Sequence, residues 1–312
     1  MIDLLRQKAA RTGLCGIGIA PADDEVVRVF PWAKSVICAA ISYLPPVHED
    51  ERDKSIPRGF VARVAQSTDY HAVLRGKLDR LARNIPGARF EVCVDTNPLP
   101  ERKLAALSGM AWRGRNGCVF VEGCGSWVVL GEIVTDQDLK TDDEPLPSRC
   151  GDCTICVDSC PAQAITGYGI IDHTRCISAL TQASGAIDLC LRPLMHNNIY
   201  GCDICQQVCP QNADIRPQSP EFAADMFPGQ SPELIHLISM TAVEFKNISS
   251  SSIGWIRRTR IRRNAAIAAG NLRNKKALEA SAQMLNDDNA LLRDVARWAI
   301  DKINLDCRAG EG

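Results

Sequence analysis

The sequence predicts an α+β chain of three units, at 1–144, 145–215 and 216–312. Three observations predict it. The first 144 residues alternate short apolar runs with amphipathic stretches, the pattern of mixed strands and helices. Residues 150–210 carry a dense and regularly spaced set of cysteines. From residue 232 onward apolar residues recur at helical spacing.

At 312 residues the chain is long enough for two or three units with cores of their own. A net charge of −1 excludes a protein that coats nucleic acid, and leaves room for a local basic patch. The longest apolar runs, such as 35–44, are too short to span a bilayer, so no membrane association is expected. The opening MIDLLRQKAARTG lacks a basic head followed by an apolar core, so it does not read as a signal peptide, and the cytoplasm is the expected compartment. There, fifteen cysteines point to metal or catalysis rather than disulfides.

Taken in order, residues 2–12 read as an amphipathic helix with Ile2, Leu4, Leu5 and Ala9 on one face, stopped by Gly13 and Gly16. The run SVICAAISY at 35–43, closed by Pro45 and Pro46, is a buried strand. The charged stretch 48–58 is a surface loop. Helical spacing over 69–85 ends at Pro86 and Gly87, and a strand at 90–94 delivers Asp95 at its end. A short helix at 103–110 and strands at 118–121 and 126–135 complete an α/β unit, and the acidic 138–148 is a linker. Helices are expected at 263–272, 276–286 and 289–303. The first two form a hairpin like one unit of a helical solenoid, which has to dock on the rest of the chain.

Cys150, Cys153, Cys156 and Cys160, followed by Pro161, spell C-x2-C-x2-C-x3-C-P. That run loads [4Fe–4S] clusters in ferredoxins, where the fourth cysteine serves the other cluster. Cys176, Cys202, Cys205 and Cys209, followed by Pro210, supply a second set. The expected ligands are therefore Cys150, Cys153, Cys156 and Cys209 for one cluster, and Cys160, Cys176, Cys202 and Cys205 for the other. C-x2-C pairs alone would also suit zinc, but the three-cysteine run is more specific. The 25 residues between Cys176 and Cys202 exceed what a plain ferredoxin needs, and mark a place for something besides electron storage. The remaining Cys15, Cys38, Cys93, Cys118, Cys124, Cys190 and Cys307 lack ligand spacing and read as small buried hydrophobes.

Several further segments give the chain a resemblance that runs from about residue 33 to 303: TDYHAVLR (68–75), VDTNPLPER (94–102), GSWVVLGEIVTD (125–136), CISALTQ, RPLMHNNIYGCDICQQVCP and GWIRRTRIRRNAAIAAGN (254–271). Together with the cysteines, these resemble the epoxyqueuosine reductases, cobalamin-dependent iron–sulfur enzymes that remove the epoxide oxygen from epoxyqueuosine in tRNA. The resemblance implies an N-terminal cobalamin-binding domain, a ferredoxin-like domain and a HEAT-like C-terminal region. It implies cobalamin held between the first two domains without a histidine ligand from the protein. The sequence is in keeping: Asp69-Tyr70-His71 begins a D-x-H-x-x-G signature of histidine-ligated cobalamin, but Leu74 stands at the glycine. By the same resemblance Asp95 is the general acid, and Arg63, Asp95, Ser126 and Ser178 contact the cofactor. A carboxyl beside a large apolar ring is expected to keep its proton through desolvation. His71 reads as a core or capping histidine. The chain departs from the family pattern in a shortened segment before PWAKS (31–35), in STDYH where GRDYH is usual, and in HNN (196–198) where GNR is usual.

Arg257, Arg258, Arg260, Arg262 and Arg263 crowd one short stretch, in the region that in the family contacts tRNA. They are expected to meet RNA phosphates, and Trp255 beside them reads as a core residue, with stacking on a base as the alternative. The expected partners are tRNA and an external flavodoxin- or ferredoxin-like electron donor, and the chain is expected to act as a monomer. Two rival readings stand beside this one: a diverged corrinoid and iron–sulfur reductase with another substrate, and a ferredoxin-type electron-transfer protein.

Overall fold

The apolar run at 35–43 has no polar face, so it can only lie inside a sheet covered on both sides. It does. A computed structural model describes residues 2–44, 55–66, 68–85, 89–140, 143–222 and 229–305. The strands are β1 (Gly16–Pro21), β2 (Ser35–Ser42), β3 (Phe60–Val61), β4 (Phe90–Cys93), β5 (Ala111–Arg113), β6 (Val119–Val121), β7 (Val128–Thr135), β8 (Ile165–Gly167), β9 (Ile170–Ile171) and β10 (Asn198–Tyr200). The helices are α1 (Ile2–Arg11), α2 (Asp24–Val29), α3 (Tyr70–Ala82), α4 (Glu101–Leu107), α5 (Ile155–Asp158), α6 (Ile177–Gln182), α7 (Ile204–Gln207), α8 (Leu234–Ser239), α9 (Ala242–Ile248), α10 (Arg257–Leu272), α11 (Leu278–Met284) and α12 (Ala290–Asn304). Most of the expected 48–58 loop, the Pro86 and Gly87 stop, and Cys307 lie outside the described residues.

The main sheet has the order β1-β2-β7-β4, antiparallel at every pairing. β2 and β7 are buried along their whole length. One sheet face packs Ile37, Ala39 and Ile41 against Leu5 of α1 and Leu74 and Leu78 of α3. The other packs Cys38, Ala40 and Val134 against Val26 of α2 and Leu104 of α4. The sequence reading missed β1, taking its glycines only as a helix stop. Asp23 caps α2 and Asp69 caps α3, each carboxylate accepting backbone N–H groups of the first turn.

The cysteine-rich segment wraps around two one-turn helices, α5 and α7, which pack on each other. The stretch between Cys176 and Cys202 holds α6 and β10. β10 adds in parallel to β3, joining the segment to the first unit. Gly201 follows with φ +67°, and a Cβ there would sit 2.4 Å from that of Ala62, so only glycine allows this approach.

The largest core crosses the boundary expected at 215. Leu180, Ile187, Leu191, Met195 and Ile199 pack with Ile261, Ala265, Ala268, Val295 and Ile303. α10 is the pillar of that core. It packs against α8, α12 and β10, and every residue from Ile261 to Gly270 is buried. It begins at Arg257, six residues before the start expected at Arg263.

Candidate functional site

β4 ends at Cys93, and the chain turns sharply two residues later. Asp95 has φ +50°, an uncommon conformation for a side-chain-bearing residue. Two side chains hold it. Its backbone N–H donates to Glu101 Oε1 at 2.8 Å, from the first turn of α4. Its Oδ2 accepts from the Tyr70 hydroxyl at 2.6 Å, from the first turn of α3. His71 Nε2 lies 3.8 Å from the same oxygen, and His71 Nδ1 lies 2.6 Å from Asp69 Oδ1. The Tyr70 and His71 rings stack with centroids 4.1 Å apart.

Burial, followed by the bond to Asp95, holds the Tyr70 phenol well above its usual range, so it remains a donor. Burial also pushes up Glu101, with the charge of Asp95 adding to the rise. Behind Glu101 lies Glu132 of β7, fully buried with both carboxylate oxygens unpartnered and its acidity suppressed by desolvation. The Asp95 side chain itself is 60% exposed, so the desolvation expected around it is not supplied by the protein alone.

Asp95 stands where two cavities meet. The first, about 260 Å3, is lined by Tyr70, Glu101, Arg102, Ser126, the apolar wall Val128, Val129 and Leu130, and Gln206 of the cysteine-rich segment. The second, about 560 Å3, is lined by Asp69, His71, Gln182, Tyr200, the serines 249–252 and Trp255. Val64, Tyr70 and Asp95 belong to both. The cleft thus has one mainly apolar wall, one mouth rich in hydroxyls, and a carboxyl between them.

The cysteines lie on the far side of Gln206. A cavity of about 160 Å3 is lined by Cys150, Cys153, Cys156 and Cys209, with Phe120 and Ile155. Burial raises the Cys209 and Cys176 thiols. Backbone N–H groups of Arg115 and Ala164 point at Cys150 Sγ and Cys160 Sγ, each at 3.3 Å, the donors a cluster-bound thiolate accepts. Cys118 lines the first cavity and interacts electrostatically with Cys205. It is therefore not an isolated core thiol, and Cys190 is exposed, both against expectation. Ser126 ties the two sides together: its N–H donates to Asn212 Oδ1 at 2.8 Å and its hydroxyl to Gln206 Oε1 at 2.9 Å.

Residues 149–212 match a 4Fe–4S double cluster binding domain, and residues 25–96 match the model described as epoxyqueuosine reductase QueG, DUF1730. The epoxyqueuosine reductase of Staphylococcus aureus is 36% identical over 282 residues, which is 88% of this chain and 73% of that one. That of Escherichia coli is 34% identical over 280 residues, 88% of this chain and 74% of its own. This chain belongs to the epoxyqueuosine reductase family. A crystal structure of an epoxyqueuosine reductase with an epoxyqueuosine-modified tRNA-Tyr stem loop matches with a TM-score of 0.90 at 29% identity, covering 99% of this chain and 92% of that one. The Streptococcus thermophilus enzyme matches with 0.86 at 28% identity, covering 97% and 90%.

In this epoxyqueuosine reductase family member, the other expected site residues fall into different places. Arg63 donates its backbone N–H to Asp203 at 2.8 Å and lays its guanidinium 4.7 Å from the Trp127 ring centre, next to Val64 in the cleft wall. Ser178 sits one turn before Gln182 and accepts its amide. The arginine run divides. Arg257 is exposed and Arg260 half-buried, whereas Arg262 and Arg263 are buried. Arg262 bonds Ile238 O and Asp287, and Arg258 bonds Met240 O. Arg263 points its guanidinium at four backbone carbonyls. Phosphate contact through Arg262 and Arg263 is thereby corrected: both are sealed inside with their donors occupied. Trp255, expected in the core, is 53% exposed and donates to the Tyr200 hydroxyl at 3.0 Å. Sequence reasoning passed over Tyr70, for which the DYH stretch at a helix start was the signal.

Proposed function

We propose that this chain reduces epoxyqueuosine to queuosine in tRNA, with cobalamin in the cleft that the two cavities form together, Asp95 as the general acid, and two [4Fe–4S] clusters as the electron supply. The observation that carries the reading is the place of Asp95, held by Tyr70 and Glu101 where a cavity backed by the cysteine-rich segment meets a hydroxyl-rich mouth. Family membership supplies the substrate class.

The residues present fit a corrin. Val128, Val129 and Leu130 give it an apolar wall, and Ser126 and Gln206 lie beside it. Bound and reduced, cobalamin supplies a strong low-valent nucleophile or electron donor toward the epoxide. The chain's own part is to hold the cofactor beside Asp95, to hold the clusters on the other side of the cleft wall, and to donate a proton to the departing oxygen. Tyr70 keeps Asp95 Oδ2 turned toward the mouth.

Cys150, Cys153, Cys156 and Cys209 would bind one cluster, and Cys160, Cys176, Cys202 and Cys205 the other. Arg63 and Ser178 support the cofactor wall from behind. Arg257 and Arg260 meet the RNA backbone, on a C-terminal region of HEAT-like helical pairs. The three units run over 1–144, 145–215 and 216–312, with residues 180–199 of the second packed into the core of the third. An external flavodoxin- or ferredoxin-like donor feeds the clusters, and the protein works as a cytoplasmic monomer. No helix among the described residues is long and apolar enough to cross a membrane.

The test is anaerobic reconstitution followed by turnover on an epoxyqueuosine stem loop. Wild-type protein takes up iron and a corrinoid with its visible absorbance, and Asp95→Asn keeps that absorbance while losing about a hundredfold or more in kcat. Protein that takes up iron but no corrinoid overturns the reading.

A further inference from the structure

Removing an epoxide oxygen as water consumes two electrons and two protons. One carboxyl carries one proton. If Asp95 is the acid, as proposed above, it must be recharged within each turnover.

The structure assigns that task to His71, oriented by Asp69. His71 Nδ1 lies 2.6 Å from Asp69 Oδ1, and a carboxylate at that distance keeps the proton on Nδ1. Nε2 is then the nitrogen that gains and loses a proton, and it faces Asp95 Oδ2 at 3.8 Å. That gap exceeds a direct hydrogen bond and suits a small side-chain rotation or one bridging water. The side chains of His71 and Asp69 are 38% and 42% exposed, so the imidazole meets the solvent that reloads it. Asp69, His71 and Asp95 all line the second cavity.

Other groups face the same point. Tyr70 Oη is closer to Asp95, but releasing its proton would leave a buried phenolate. Its bond to Oδ2 positions the carboxyl. Glu101 lies on the opposite side, engaged by the Asp95 N–H, with Arg102 beside it and Glu132 behind it. Tyr200 and Trp255 close the far wall and bond each other.

The steps balance as follows. The Asp95 O–H bond breaks and an O–H bond forms on the oxygen of the opened epoxide, leaving the carboxylate. The His71 Nε2–H bond breaks and the Asp95 O–H bond re-forms, leaving neutral imidazole. Asp95 then gives this second proton to the hydroxyl as its C–O bond breaks and water departs. Both electrons come from the external donor through the clusters and the reduced cofactor. Solvent reprotonates His71. A bland role exists for the same residues, because Asp69 also caps α3 through the His71 N–H.

Turnover by reconstituted wild-type, His71→Gln, Asp69→Asn and Asp95→Asn protein on the epoxyqueuosine stem loop separates these roles. His71→Gln is expected to keep KM within about twofold and to lose about tenfold in kcat, with the loss smaller at acid pH, where solvent recharges Asp95 directly, and partly reversed by added imidazole. Asp69→Asn is expected to show a smaller loss of the same pH form. A readout independent of turnover is the tautomer of the His71 ring by nitrogen NMR in cofactor-free protein: wild type should carry its proton on Nδ1, and Asp69→Asn should move it toward Nε2. If His71→Gln keeps the wild-type kcat and pH profile while Asp95→Asn is inactive, the relay is wrong and the acid assignment stands. A loss in His71→Gln with an unchanged profile and no imidazole response reduces the residue to a helix cap. Full activity in Asp95→Asn overturns the acid assignment, and the relay with it.

Discussion

Two ionisable side chains, Arg263 and Glu132, are wholly buried in this molecule, and they are treated in opposite ways. Arg263, on α10, meets acceptors on every side: Asn264 Oδ1 at 3.0 Å, Ala183 O at 2.8 Å, Gly185 O at 2.7 Å, Leu180 O at 3.0 Å and Thr181 O at 3.3 Å. Glu132, in the middle of β7, meets none among the described residues. A buried charge ringed by dipoles is a fastener. A buried carboxyl with no donor is stable only as the neutral acid. The first holds the end of α6, six residues after Cys176, against the helical core. The second lies behind the carboxyls that surround Asp95.

Breaking the fastener should have the largest effect. Arg263→Leu leaves up to four carbonyls of 180–185 buried without donors and is expected to destabilise by about 3–5 kcal/mol. Burial lowers the guanidinium to about 10, so it stays charged at neutral pH. Arg263→Lys should recover only part of the loss, because an ammonium cannot reproduce the planar fork. Denaturant unfolding measures both. Iron content is the companion readout, since α6 follows directly on Cys176. An Arg263→Leu protein with wild-type stability would show that the carbonyls find water.

The opposite buried charge should respond with the opposite sign. Desolvation, with the charges of Glu101 and Asp95 behind it, raises the Glu132 carboxyl well above the ordinary range. The folded chain therefore binds this proton more tightly than the unfolded chain. That contribution is complete below the usual glutamate range and is lost as pH rises through the raised value. Glu132→Gln, which is neutral throughout, should melt higher than wild type at pH 8, and the difference should shrink toward pH 5. A gap that does not change with pH would mean that Glu132 keeps its ordinary acidity.

The contrast also explains what the sequence could convey. The cysteine pattern was legible because a C-x2-C turn is local, and no distant residue decides it. β2 and β7 were legible because an apolar run with no polar face has one place to go. β1 was not, because GIGIAP is short and its glycines read equally well as a stop. Arg263 was misread because its acceptors lie about 80 residues away and are backbone carbonyls, which leave no trace in side-chain identity. The approach of His71 to Asp95 was hidden similarly: they sit on different elements, and only the packing of α3 beside β4 brings them together.

The smallest expected effect on stability comes from the exposed end of the same arginine run. Arg257 opens α10 at φ +70° and is exposed, and Arg260 is half-buried. Neither joins an ion pair among the described residues, whereas Arg262 bonds Asp287 at 2.5 Å. Replacing Arg257 and Arg260 together by Ala should shift stability by no more than about 0.5 kcal/mol. Their side chains remain free to neutralise phosphates, and each phosphate contact releases condensed counterions. The double variant should therefore bind a tRNA stem loop more weakly, and its affinity should fall less steeply with salt, by about one to two units in the slope of log K against log salt. Equal slopes in the variant and the wild type would place the RNA elsewhere and leave α10 as a purely structural helix. A stability loss as large as that of Arg263→Leu would erase the difference between the two ends of the run.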